Sequence, residues 1–132
     1  MKFKYKKYGV GILRPVIPVE IEYDGRSVSY EVLVDSGADF CILDAQIGEL
    51  LGISIETGQE QKVGGITGTL ESYYVHNVVI RVGGHPYDIK LGFLRNIANI
   101  GYGVVGQRGF FDIFVVKFDL LKEEIELKSR NY

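Results

Sequence analysis

The sequence of 132 residues holds a single cysteine, Cys41, so no disulfide can close within the chain. That fits a reducing compartment, and a cytoplasmic protein is expected. Cys41 lies in the apolar run from Phe40 to Leu43 and reads as a buried, unreactive thiol. The N-terminus has no long apolar core, and no run is long enough to span a bilayer. Neither a signal peptide nor a membrane partner is expected. A charge excess of either sign is also missing. Lys and Arg number 15 against 17 Asp and Glu, which leaves −2 at pH 7 and argues against a nucleic-acid partner. The local basic run of Lys2, Lys4, Lys6 and Lys7 alternates with Phe3 and Tyr5 and reads as the polar face of an edge strand. The two histidines, His76 and His85, stand apart from any second cysteine or carboxylate cluster, so no metal or other cofactor is expected.

Long helical periodicity is absent as well. What is present is 46% hydrophobic residues, with 9 Tyr, 7 Phe and 17 Gly among many Val and Ile. That composition predicts an all-β protein with many turns, built as one domain over residues 1–132.

Residues from Lys2 to about Val10 read as a first strand, after which Pro15 and Pro18 are expected to interrupt regular pairing. Val19 to Tyr23, the turn Asp24-Gly25 and Ser27 to Val34 form a hairpin. Phe40 to Leu43 reads as a short buried strand. Asp44 then caps a helix with an apolar stripe of Ala45, Ile47, Leu50 and Leu51, ended by Gly52. This is the only helix expected to exceed two turns, with Glu49 on its solvated side. A loop follows to Glu60. Gln61 to Ile66 and Thr69 to Val82 read as strands joined by Gly64-Gly65-Ile66-Thr67-Gly68, either a plain turn or a mobile lid. His85 to Phe93 returns after Gly83-Gly84, and Arg95 to Tyr102 is a loop. Gly103-Val104-Val105-Gly106 is a buried apolar run, Gln107 to Asp112 a helical turn, and Ile113 to Asp119 pairs with Ile125 to Lys128. Glu123, Glu124 and Glu126 belong to a turn and a solvated face.

The chain is organised around Leu33-Val34-Asp35-Ser36-Gly37-Ala38-Asp39-Phe40. An apolar strand drives the backbone inward, where an ionised carboxylate is costly unless hydrogen-bonded or shared. Ser36 offers a hydroxyl, and Gly37 allows a tight turn that brings a backbone N–H to Asp35. An ordinary Asp-Ser-Gly turn is the alternative. Gly101-Tyr102-Gly103-Val104-Val105-Gly106 matches the dinucleotide pattern G-x-G-x-x-G. That motif requires a strand before it and a long helix after it, and here little helix follows.

Three features taken together resemble the retropepsin family of single-domain aspartic proteases, in the version of its cellular relatives. They are the strand ending in Asp35-Ser36-Gly37-Ala38, the later glycine-rich hairpin, and Val104-Val105-Gly106 near the end. The order of elements agrees from about Val19 to Leu127. Retroviral members commonly place Arg directly after that last glycine, whereas here Gln107 stands there and Arg108 follows. The resemblance implies a retropepsin-like closed β-barrel with one short helix, a glycine-rich flap hairpin and a late short helical turn. It implies that Asp35 carries the catalysis and that Ser36, Gly37 and Ala38 support its loop. It implies that Gly64, Gly65, Ile66, Thr67 and Gly68 form a flap over substrate, and that Val104, Val105 and Gly106 pass beneath the loop. Val34, Ala38, Ile66 and Val104 are candidate pocket walls.

An aspartic protease needs two facing carboxylates sharing one proton. The chain has a single Asp-Ser-Gly, so the resemblance implies a homodimer with one Asp35 from each copy, acting on an extended peptide or protein. A dimeric peptide-binding module of the same fold, without catalysis, is the alternative.

Overall fold

The structure is a computed structural model that describes residues 1–64, 69–97 and 102–130. Its first half contains β1 (Lys2–Lys4), β2 (Lys6–Gly9), β3 (Ile12–Arg14), β4 (Val16–Tyr23), β5 (Arg26–Val34), β6 (Ile42–Asp44) and helix α1 (Ala45–Leu50). A 3-10 turn at Ile55–Thr57 leads into β7 (Gln59–Gly64), β8 (Leu70–Val82) and β9 (His85–Leu94). Then come β10 (Gly103–Val105), helix α2 (Phe110–Ile113), β11 (Phe114–Asp119) and β12 (Glu124–Ser129).

Seven strands pair in the order β4-β5-β10-β6-β9-β8-β7. β4 also pairs with β8 through Glu20–Arg81, Ile21–Ile80 and Glu22–Val79, so the hydrogen-bonded order returns to β4 and leaves β7 as an outer edge. The β4–β5 turn places Asp24 at φ 48° and Gly25 at φ 80°, the two positive angles that match a tight turn to strand twist. Alternation then decides what is buried. Val19 and Ile21 of β4, Val32 and Val34 of β5, and Val78, Ile80 and Val82 of β8 all point into one apolar core. A second sheet, β1-β12-β11, is fastened to it by aromatic contacts. Phe114 lies 4.8 Å from Tyr87 and 4.9 Å from Phe110, ring centre to ring centre. Burial of each such ring stabilises the fold by about 2 kcal/mol.

Several elements differ from the sequence expectation. The single strand from Lys2 to Val10 is two. Lys4 is the last residue paired with β12, Tyr5 N–H donates to Glu123 O at 2.8 Å, and Lys6 then pairs with Arg14 in a separate two-stranded sheet. The lysines do mark polar faces, with Lys2 3.8 Å from Glu126, Lys4 3.4 Å from Glu124, and Lys6 paired with Glu31. Pro18 does not interrupt pairing but sits inside β4 opposite Glu31. Pro15 O accepts from Val34 N–H, which fixes the odd positions of β4 as the hydrogen-bonded ones, so the nitrogen of Pro18 faces away from β5.

The buried strand at Phe40–Leu43 is displaced to Ile42–Asp44, with Phe40 itself 43% exposed. Asp44 caps α1 as expected, accepting from Gln46 N–H at 2.9 Å. The helix is six residues, under two turns rather than over. Gly52 at φ 83° ends it, and Leu50 of the expected stripe is exposed while Leu51 is buried. Glu49 is not simply solvated but lies 3.3 Å from Arg95, which also grips Glu56 at 2.8 and 2.9 Å. The expected loop before Glu60 holds the 3-10 turn and the start of β7. The late helical turn is Phe110–Ile113. Of the loop expected from Arg95 to Tyr102, residues 98–101 lie outside the described residues.

Candidate active site

β5 and β10 run parallel, with Val34 opposite Val105, and the ladder ends as Asp35 N–H donates to Val105 O at 3.0 Å. The chain then turns. Gly37 N–H donates to Asp35 Oδ1 at 2.9 Å and Ala38 N–H to Asp35 O at 3.2 Å. Among the described residues, Gly37 N–H is the only donor to the Asp35 carboxylate, which is half-exposed. The loop is thus an Asp-initiated turn with one carboxylate oxygen tied to the backbone and the other without a hydrogen-bond donor among the described residues.

The segment after β10 passes under this turn and locks it. Gln107 N–H donates to Ala38 O at 2.8 Å and Arg108 N–H to Asp39 O at 2.9 Å. The Gln107 side chain adds a third bond, Nε2–H to Ser36 O at 2.6 Å. Only glycine fits at 106. A Cβ there would lie 2.7 Å from Phe40 O, 2.8 Å from the Ala38 carbonyl carbon, and closer still to Ala38 O. Cys41 pegs the crossing from below. Gly106 N–H points to its Sγ at 3.4 Å, and its thiol reaches Arg108 O at 3.4 Å. Burial pushes this thiol above its usual range, so it is structural rather than nucleophilic.

Beside the loop is a cavity of about 530 Å³, lined by Ala38, Phe40, Ile42, Val63, Gly64 and Val104, among others. Ala38 and Val104, two of the candidate pocket walls, line this cavity. Val34 does not, because its alternation with Val32 turns it into the core at 2% exposure. Ser36 and Gly37 are exposed on the turn, and Val105 is buried beneath it. Gly64 ends β7 opposite Leu70. Gly65, Ile66, Thr67 and Gly68 lie outside the described residues.

Phe40, Ile42 and Val63 were not singled out from sequence, although Ile42 and Val104 share a face as direct cross-strand partners. The Gln107 amide was also missed as a contact. The signal was its position beside a glycine that must pass under the loop. The glycine pattern ending at Gly106 is explained by strand pairing, since Gly103 to Val105 fill β10 and α2 has only four residues. His76 bonds Ile55 O at 2.8 Å, and among the described residues no group of three potential metal ligands converges.

Comparison with known proteins agrees with this geometry. A family profile described as Aspartyl protease matches residues 17–107. A retropepsin-like aspartic protease from Rickettsia conorii superposes with a TM-score of 0.63 at 14% identity, covering 95% of this chain and 97% of that one. EIAV protease, complexed with the inhibitor HBY-793, gives 0.53 at 21% identity, covering 76% of this chain and 88% of that one. No curated protein matches the sequence significantly. The mostly β, retropepsin-like fold expected from sequence is borne out.

Proposed function

This chain belongs to the aspartyl protease family, and from that premise we propose that it is an aspartic endopeptidase working as a homodimer. Each copy contributes one domain and one Asp35. Across the two-fold axis the carboxylates share one proton, because two charges so close do not both ionise cheaply. The ionised member takes a proton from a water, which attacks the scissile carbonyl, while the protonated member donates to that carbonyl oxygen. The proton balance is then restored as the amine leaves. The pair titrates with two macroscopic pKa values rather than one per residue.

The observation that carries this reading is the held, half-exposed carboxylate. One Asp35 oxygen is bound by Gly37 N–H on a turn braced from beneath by Gly106 to Arg108. A pure binding module gains nothing from an acid so placed. The Ser36 hydroxyl, exposed on the turn, is assigned to the opposite copy's loop. The hairpin from Gly64 to Gly68 closes over an extended peptide, pairing with its main chain as an added strand. The 530 Å³ cavity, with Ala38, Phe40, Ile42 and Val104 on its walls, takes an apolar side chain of the substrate. β1 and β11 end the three-stranded sheet, and their outer edges, without a strand partner among the described residues, are natural places for the copies to join.

Incubation with a mixed peptide pool, with and without a pepstatin-type inhibitor, tests the activity. Asp35→Asn is expected to abolish cleavage and leave the dimer intact in sedimentation. Undiminished cleavage by that variant, or full activity from a monomer, refutes the shared-site mechanism. Peptide binding without cleavage by the unaltered protein favours the silent module instead.

A further inference from the structure

A second and larger cleft, of about 1000 Å³, lies away from Asp35. Its walls come from the outer face of β8 and β9, from Phe40 and from the α2 region. Register defines that outer face: Val75 is opposite Gly92, Asn77 opposite Lys90, and Val79 opposite Asp88. These positions alternate with Val78, Ile80 and Val82, which fill the core. The volume is at the upper end of what ligand sites enclose.

The cleft and the cavity beside the Asp35 loop meet at one side chain. Phe40 lines both, and its ring sits 6.3 Å from that of Tyr73 on the cleft side. Phe40 is only five positions from Asp35 and is 43% exposed, so its ring is accessible to a chain lying on either side of it. The lining favours apolar bulk over charge. Glu22 is taken by Arg81, and Asp112 accepts from Gly109 N–H. Asp24 and Asp88 are then matched in number by Lys90 and Arg108. Phe40, Val75, Val79 and Ile113 supply apolar surface.

The neighbouring strand selects the kind of ligand. β7 is last in the sheet order, so among the described residues its outer edge has no strand partner, while Gln59 and Gln61 line the cleft. An extended polypeptide can both fill an apolar trough and pair with a strand edge, and a compact small molecule cannot. We infer that this cleft is an exosite for the substrate itself. It engages a second apolar stretch of the same extended chain, remote from the scissile bond, and makes long unfolded segments better substrates than short peptides. This inference rests on the protease reading proposed above.

The test compares two fluorescent probes, an unstructured casein fragment of about 20 residues and its central eight-residue piece. Extended chain rises about 3.3 Å per residue, so the longer probe spans about 66 Å against about 26 Å for the short one and reaches further beyond Phe40. Binding is measured by fluorescence polarisation on the Asp35→Asn protein, which removes turnover. The long probe is expected to bind about tenfold more tightly. Val75→Glu and, separately, Ile113→Glu are expected to cancel that gain and leave the short probe's affinity unchanged, which also reports that each variant is folded. Equal affinity for both lengths, or a gain that survives both substitutions, overturns the exosite. Long-probe binding that depends on Val75, with no cleavage of any peptide by the unaltered protein, supports the cleft while refuting the protease reading.

Discussion

Gly106→Ala is the most demanding single test of how the Asp35 turn is held. The added methyl group meets backbone on one side only: Ala38 O, the Ala38 carbonyl carbon at 2.8 Å and Phe40 O at 2.7 Å. None of these can rotate away as a side chain would. Overpacking of this kind costs about 1–3 kcal/mol, and the rigidity of the partners places this case near 3 kcal/mol. Relief requires the crossing segment to retreat, which stretches the bonds from Gln107 N–H to Ala38 O and from Arg108 N–H to Asp39 O. Losing one of them adds about 1 kcal/mol. The expected total is about 4 kcal/mol, or a fall in Tm of about 10–15 °C for a domain of this size. Urea denaturation followed by far-UV circular dichroism measures it. Gly9→Ala is the matched control, because its Cβ would meet only Ile12 Cδ1 at 3.5 Å, an ordinary contact. A Gly106→Ala protein within about 1 kcal/mol of the parent would show that the turn is not braced from beneath, and the reasoning about the site would fail with it.

Other outcomes follow from the same structure. Asp44→Ala removes the acceptor for Gln46 N–H and is expected to cost about 1 kcal/mol in denaturant titration, whereas Asp44→Asn or Asp44→Ser recovers most of it. The Glu56 carboxyl is held below its usual range by its hydrogen bonds to Arg95. A depressed folded-state pKa gives a contribution that is present above the unfolded value of about 4.3 and is lost as pH falls through the folded value. An NMR titration of the Glu56 side chain should therefore show its midpoint rise in Arg95→Gln, and an unchanged midpoint contradicts the pairing. The Cys41 thiol, buried and pushed up, is expected to react with a disulfide reagent only in denaturant, with rapid reaction in native buffer counting against its role as a peg.

The β fold was legible because it is written locally. Alternation through β4 and β5 and the dipeptide Asp24-Gly25 specify a hairpin whatever surrounds them. The grouping of Asp35-Ser36-Gly37 with Gly106 was legible for a different reason, through the resemblance to the retropepsin family, in which such a segment crosses beneath the loop. What stayed hidden depended on partners distant in sequence. Nothing local tells that Lys4 pairs with Glu124 while Lys6 pairs with Arg14. The harmlessness of Pro18 depends on which edge of β4 meets β5. Val34 reads as a pocket wall by its nearness to Asp35, yet the two-residue period turns it inward. Gln107 shows its purpose only when Ser36, far back in the chain, arrives above it.

That distance has a consequence for how the protein is made. Gln107 and the Ser36 carbonyl it holds are 71 residues apart, and β10 must insert between β5 and β6 before the turn has any support. Ribosomes deliver the chain from its N-terminus, so Asp35 emerges long before the segment that shapes its surroundings. Contacts of such long range form slowly because loop-closure entropy must be overcome first. A nascent or partly folded chain therefore carries its acid on an unsupported bend, and whatever chemistry that acid performs is withheld until synthesis has passed Arg108 and the late strand has docked.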